Sequence, residues 1–140
     1  MNEIRDERIL FKHMSKHDYS VLSGVMRYWA RNTHRMKPAN NHVVDRIRQK
    51  HITMDEVLLA VAQGEYIEFH VYGNRPRVLV RHKRKNQSND VCVVFDVKTG
   101  RIITAYTNDS SDNHKTLREE LYNMELNVLT TLKECGMFIS

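Results

Sequence analysis

The 140-residue chain is 41% hydrophobic and 28% charged, with 22 Lys+Arg against 17 Asp+Glu, a formal net charge of +5 and eight histidines. That composition fits one globular domain with a real core, and the modest positive balance suits an anionic partner held transiently better than a protein that coats DNA. No apolar run approaches the roughly 18 residues of a membrane span, and the leading MNEIRDERILFKHMSKH lacks an apolar signal core, so the expected location is cytoplasmic, with no membrane partner.

Residues 1–17 are of mixed charge around Ile9, Leu10 and Phe11, and read as an arm or a short helix. Val21, Leu22, Val25, Met26 and Trp29 recur at helical spacing, predicting a packing helix capped by Asp18 or Ser20 and ended before Pro38. Asn40 or Asn41 is a natural N-cap for HVVDRIRQK, whose apolar side is Val43, Val44 and Ile47; His42 and Arg46 are neighbours on its other side. Thr53 caps a third helix, MDEVLLAVAQ, with Asp55 and Glu56 in its first turn and Gly64 at its end.

Four strands follow. Ile67, Phe69 and Val71 alternate with Glu68, His70 and Tyr72; Val78, Val80 and His82 alternate with Arg77, Leu79, Arg81 and Lys83. Val91, Val93, Phe95 and Val97 form an apolar face, KTG a tight turn, and RIITAYT the last strand, with Ile103, Ala105 and Thr107 on one side and Thr104, Tyr106 and Asn108 on the other. From Asn113 onward, Leu117, Leu121, Met124, Val128 and Leu132 predict a long helix capped by Gly136. The expected fold is therefore α+β: N-terminal helices on a four-stranded antiparallel sheet with one partly exposed face, and a long C-terminal helix. The expected organisation is a single domain over 1–140, with an arm and helix over 1–39, a core over 40–108 and the C-terminal helix over 109–140.

If the strands pair as a meander, Arg77, Arg81 and Lys83 stand beside Thr104, Tyr106 and Asn108, a surface able to hold a phosphodiester through forked guanidinium bonds. The alternative is a solvated sheet face whose cations keep a hydrophobic strand soluble. His42 and Arg46 add an acid–base group and a second phosphate clamp if their helix meets that face; otherwise they are an exposed helical side, and His70 and His82 are reserve acid–base candidates. Cys92 and Cys135 lack a second cysteine at metal-ligand spacing, His51, His70, His82 and His114 show no metal spacing with a carboxylate partner, and there is no phosphate-cradling Gly loop or H-E-x-x-H, so no metal or cofactor is expected. Residues 42–63 mimic a helix-turn-helix, but the second helix opens on two carboxylates and carries no Lys or Arg, which argues against groove reading.

The order of these pieces is specific: a His-x3-Arg helix (His42, Arg46), an I-T-x-x-E-V helix followed by Gly-Glu (Ile52, Thr53, Glu56, Val57, Gly64, Glu65), a basic strand, a V-V-F-D strand, and G-x-I-I-T-x-Y-T from Gly100 to Thr107. Over residues 40–108 it resembles the small toxin-type ribonucleases of the barnase, EndoU, colicin and RelE superfamily, the BECR fold. The resemblance implies metal-independent endoribonuclease activity on tRNA or mRNA, by attack of a ribose 2′-OH on the adjacent phosphorus. It implies catalytic roles for His42, Arg46, Arg81, Thr104 and Tyr106, and RNA binding by Arg77, Lys83 and Asn108. A toxin or a phage or mobile-element effector is the implied biological class, with an antitoxin or host protein on the C-terminal helix. The competing expectation is a non-catalytic RNA- or protein-binding module, such as a host-directed regulator or inhibitor.

Overall fold

The computed structural model describes residues 3–111 and 122–138. In chain order the elements are β1 (Asp6–Leu10), α1 (Lys16–Arg31), β2 (Lys37–Pro38), α2 (Asn41–Gln49), α3 (Met54–Gln63), β3 (Glu65–Tyr72), β4 (Arg75–Lys83), β5 (Asn89–Asp96), β6 (Arg101–Asp109) and α4 (Val128–Glu134). The fold is α+β, and the sheet is larger than expected: six strands in the order β1-β3-β4-β5-β6-β2. The antiparallel meander β3-β4-β5-β6 is the part that alternation predicted. The N-terminal arm, expected as coil or helix, adds β1 antiparallel to β3, and β2 adds a two-residue parallel pairing to β6. Strands this short on an edge carry no period of their own; the free backbone groups of the neighbouring strand organise them.

The helix caps follow local chemistry. Asn40 accepts the Val43 amide at the start of α2, and Thr53 and Glu56 form a reciprocal capping box at the start of α3. The first helix begins earlier than predicted, capped by Ser15; Asp18, its expected cap, is enclosed, and its carboxylate accepts the Val128 amide at 2.9 Å, capping α4 instead. Gly64 does end α3, but in an extended conformation, and close packing is what requires it: a Cβ there would lie 2.4 Å from the Ala60 carbonyl oxygen and 2.8 Å from that of Arg81.

Two bulges correct the predicted faces. One falls between Tyr66 and Glu68, displacing Ile67 so that Tyr66 joins the core side; the other displaces Ile103 and puts Ile102 opposite Phe95. Phe69, Val71, Val78, Val80, Val93, Phe95, Ile102 and Ala105 then share one apolar cluster with Leu22 and Met26 of α1, Val43 and Ile47 of α2, and Val57 and Val61 of α3. Trp29 pins the β5–β6 turn: its indole N–H donates to the Val97 carbonyl at 2.6 Å, and a Cβ on Gly100, whose φ is +75°, would lie 2.5 Å from its ring.

The predicted C-terminal helix is the largest correction. Its positions Leu117 and Leu121 lie outside the described residues. Within them Tyr122–Asn127 is not helical, Met124 is 62% exposed while Leu126 is buried, and α4 spans only seven residues, with Gly136 after it at φ +86°. Two side chains account for the late start: Asn127, the N-cap, accepts the Thr130 amide, and Asp18 accepts those of Val128 and Leu129. Val128, Thr131 and Leu132 are buried, so this helix already uses its apolar side within the fold. No helix among the described residues is long and apolar enough to cross a membrane.

Candidate functional site

Beside β2, the Ala39 amide bonds the Ile102 carbonyl at 2.9 Å, and at the other end of α2 the Lys50 ammonium stands 5.8 Å from the Tyr106 ring centroid. The helix therefore runs alongside β6 from Ile102 to Tyr106. Val43 and Ile47 face inward, so His42, Arg46 and Lys50, at four-residue steps, form a basic stripe along this edge of the sheet. His42 and Arg46 are exposed and make no side-chain hydrogen bond among the described residues. Lys50 was missed in the sequence, although it extends the His42–Arg46 spacing by one more step.

Thr104, Tyr106 and Asn108 lie on the sheet face opposite the helical core, in register with Val94, Cys92 and Asp90. Tyr106 is half-buried; burial first, and then the neighbouring Cys92, push its hydroxyl well above the ordinary tyrosine range. Arg81 is one strand further, in register with Cys92. Its guanidinium is occupied: Nε donates to Asp90 at 2.5 Å and an Nη to the Asp109 carbonyl at 2.7 Å. Asp90 also accepts the Ser110 hydroxyl at 2.7 Å; burial raises its pKa, but the bonds from Ser110 and Arg81 outweigh that and hold the carboxyl below its usual range. Lys83, exposed, is in register with Asp90, and Arg77 stands near the start of the same strand, in register with Asp96.

This face is less open than alternation predicted. Leu79, Cys92, Glu68, Asp90 and Asp96 are all buried on it. Near β1 it carries a charged network with no local sequence signature. Glu68 accepts from Arg8 at 3.2 Å and from the Tyr122 hydroxyl, and His70 Nε2 lies 2.7 Å from Asp6. The reserve candidate His70 is thus tied to a carboxylate 64 positions away. His82 falls on the helix-covered face beside Val91. No group of three His, Cys, Asp or Glu side chains suited to a metal stands among the described residues.

The edge where α2 lies along β6 brings together the groups for two kinds of chemistry: cations suited to phosphate oxygens, at Arg46 and Lys50, and an imidazole, at His42. It does not bring Arg77 to that stripe, and it brings Arg81 near Tyr106 only in a paired state.

Residues 40–107, just under half of the chain, match the family described as Domain of unknown function (DUF4258). The match takes in α2, α3 and the β3–β6 meander and ends on the strand that carries Thr104 and Tyr106. No curated protein and no solved structure matches the chain.

Proposed function

We propose that the chain is a metal-independent endoribonuclease whose site is the groove between α2 and β6. The observation that carries this reading is the packing of Lys50 over Tyr106, which aligns the His42–Arg46–Lys50 stripe with the polar side of β6. The resemblance of residues 40–108 to toxin-type ribonucleases supports it independently.

In this reading His42 takes the proton from a ribose 2′-OH as the 2′ oxygen bonds to phosphorus. The P–O5′ bond breaks, the proton is returned to the departing 5′ oxygen, and a cyclic phosphate remains. Arg46 and Lys50 neutralise the charge gathering on the phosphoryl oxygens, where fixed cations are most effective. Tyr106 and Thr104 hold the strand by hydroxyl donation, with Asn108 and Lys83 further along. Arg81 supports the groove floor through Asp90 and the Asp109 carbonyl. DNA, lacking the 2′-OH, is bound but not cut.

The test is incubation of the purified protein with total RNA in EDTA. Cleavage into cyclic-phosphate ends is expected, with loss of about a hundredfold or more for His42→Ala, in the range of general acid–base contributions, and retained thermal stability. A second reading, a non-catalytic RNA-binding module, is favoured by one observation: no side chain orients His42 among the described residues. RNA that is bound yet stays whole under all conditions selects that reading.

A further inference from the structure

Arg5, Arg8, Arg81 and Arg84, on or beside the sheet, each hold a carboxylate: Glu7, Glu68, Asp90 and Glu56 respectively. Arg77 does not. It is half-buried in the middle of the sheet, its Nε is enclosed with no hydrogen-bond partner, and it makes no ion pair among the described residues. Only Nε is enclosed in this way, so the two Nη groups meet solvent. The carboxylates that act on it do so without an ion pair: Asp96, in register with it, turns Oδ1 to the amides of Lys98 and Thr99, and Asp6 holds His70.

Its surroundings add positive charge. Arg8, His70 and Arg77 are in register across β1, β3 and β4, and exposed Arg75 lies two residues along on the same face. The guanidinium carbon sits 5.2 Å from the Tyr72 ring centroid, over the face of the ring. Burial first, and then Arg75, push the Arg77 guanidinium down from its ordinary value, and the smaller upward pulls of Asp96, Tyr72 and Asp6 do not restore it. A partly desolvated cation without an ion-pair partner is costly, and an oxyanion with two oxygens to present to the Nη pair offsets the charge, although the enclosed Nε–H stays beyond its reach.

We propose that Arg77, assisted by Arg75, is a phosphate-binding subsite separate from the α2–β6 groove. Its natural occupant is a phosphodiester of the same RNA strand, and in that respect the inference rests on the ribonuclease reading. Strand spacing and rise put Arg77 roughly 16 Å from Tyr106, too far for neighbouring phosphates, so the subsite grips the strand beyond the cleaved bond and adds affinity and register.

The experiment compares thermal unfolding of the full chain and of Arg77→Gln in inorganic phosphate and in chloride at equal pH and ionic strength. Phosphate raises Tm generally by exclusion from protein surface, so the readout is the difference between the two proteins. The wild type gains an additional, saturating rise that the variant lacks, while in chloride the variant is at least as stable as the wild type. Equal phosphate responses, or a variant less stable in chloride because Arg77 is structural, overturn the subsite. Binding of a 2′-O-methyl oligoribonucleotide, which cannot be cleaved, forms the second arm. Arg77→Gln weakens it several-fold and lowers the salt slope by about one. Arg77-dependent phosphate binding without any RNA binding keeps the subsite and removes the ribonuclease reading; RNA cleavage without an Arg77-dependent phosphate response does the reverse.

Discussion

On the helix-covered face of the sheet, Phe69, Val78, Val80, Val93 and Phe95 are fully enclosed among apolar side chains, whereas on the reverse face the enclosed residues include Glu68, Asp90 and Asp96. The first face stabilises the fold by taking apolar surface out of water, at about 25 cal/mol per Å². The second face takes charge out of water, which costs free energy that only well-formed hydrogen bonds and ion pairs return. Apolar side chains of similar size would serve stability as well there. The reverse face is therefore the place to measure whether buried charge stabilises this fold at all.

The comparison is broken most strongly on the apolar side. Phe69 has no exposed surface and lies between β1 and β4 in register with Ile9 and Val78. Phe69→Ala is expected to lower unfolding free energy by about 3–5 kcal/mol, through lost transfer energy and a residual cavity. Urea unfolding measures it; a loss below about 1 kcal/mol would mean that the helices collapse onto the gap and that the core is less tightly specified than its burial indicates.

On the charged side, Asp90→Ala is expected to cost about 2–4 kcal/mol, because it removes the counter-ion of an Arg81 side chain that is 10% exposed, although the bond to the Asp109 carbonyl remains. Replacing both partners by leucine should cost less than Asp90→Ala alone, since no orphan charge remains. That inequality, read from a double-mutant cycle, is the signature of a charge pair kept for something other than stability. A double variant worse than the single one would make the pair a stabilising element.

How much of this was legible in the sequence follows the range of each interaction. The caps at Asn40 and Thr53, the α2 and α3 spans and the four-strand meander rest on residues within a few positions of one another, and they appear where local chemistry put them. The strand at Asp6–Leu10 pairs with residues some 60 positions later, and the Asp18 cap serves an amide 110 positions away, so neither leaves a local mark. The bulges at Ile67 and Ile103 are likewise silent: Tyr66 and Ile67 are both apolar enough to be read as the inward residue, and the β-branched run Ile102-Ile103-Thr104 reads the same with or without an extra one. Of the candidate site, the His42–Arg46 spacing and the Arg77–Lys83 and Thr104–Asn108 alternations were readable. That Arg81 is paired and Arg77 is not depends on where Asp90 and Asp96 direct their oxygens. The periodicity that placed both arginines on one face treats them as equivalent.

The smallest expected effect lies in the charged network near β1 and concerns its sign. Burial first, and then the charge of Arg8, lower the His70 pKa, while the bond to Asp6 pulls it the other way without prevailing. In the unfolded chain a histidine titrates near pH 6.5, roughly. Between that value and the lower folded one, the unfolded chain holds a proton that the folded chain does not. Stability is therefore complete above the unfolded pKa and declines as pH falls through it, with no loss expected on raising the pH. An Asp6–His70 pair that gained by protonation would give the opposite slope, with stability rising on mild acidification. Tm measured from about pH 7.5 to 5.5, above the range where ordinary carboxylates titrate, separates the two: the wild type should lose stability toward the acid end, and His70→Gln should lose less. A wild-type Tm that climbs over that interval would make the imidazolium–carboxylate pair dominant over burial. The β1 edge would then be held by an ion pair like that of Arg81 and Asp90, leaving Arg77 as the one cation in its row without an ion pair among the described residues.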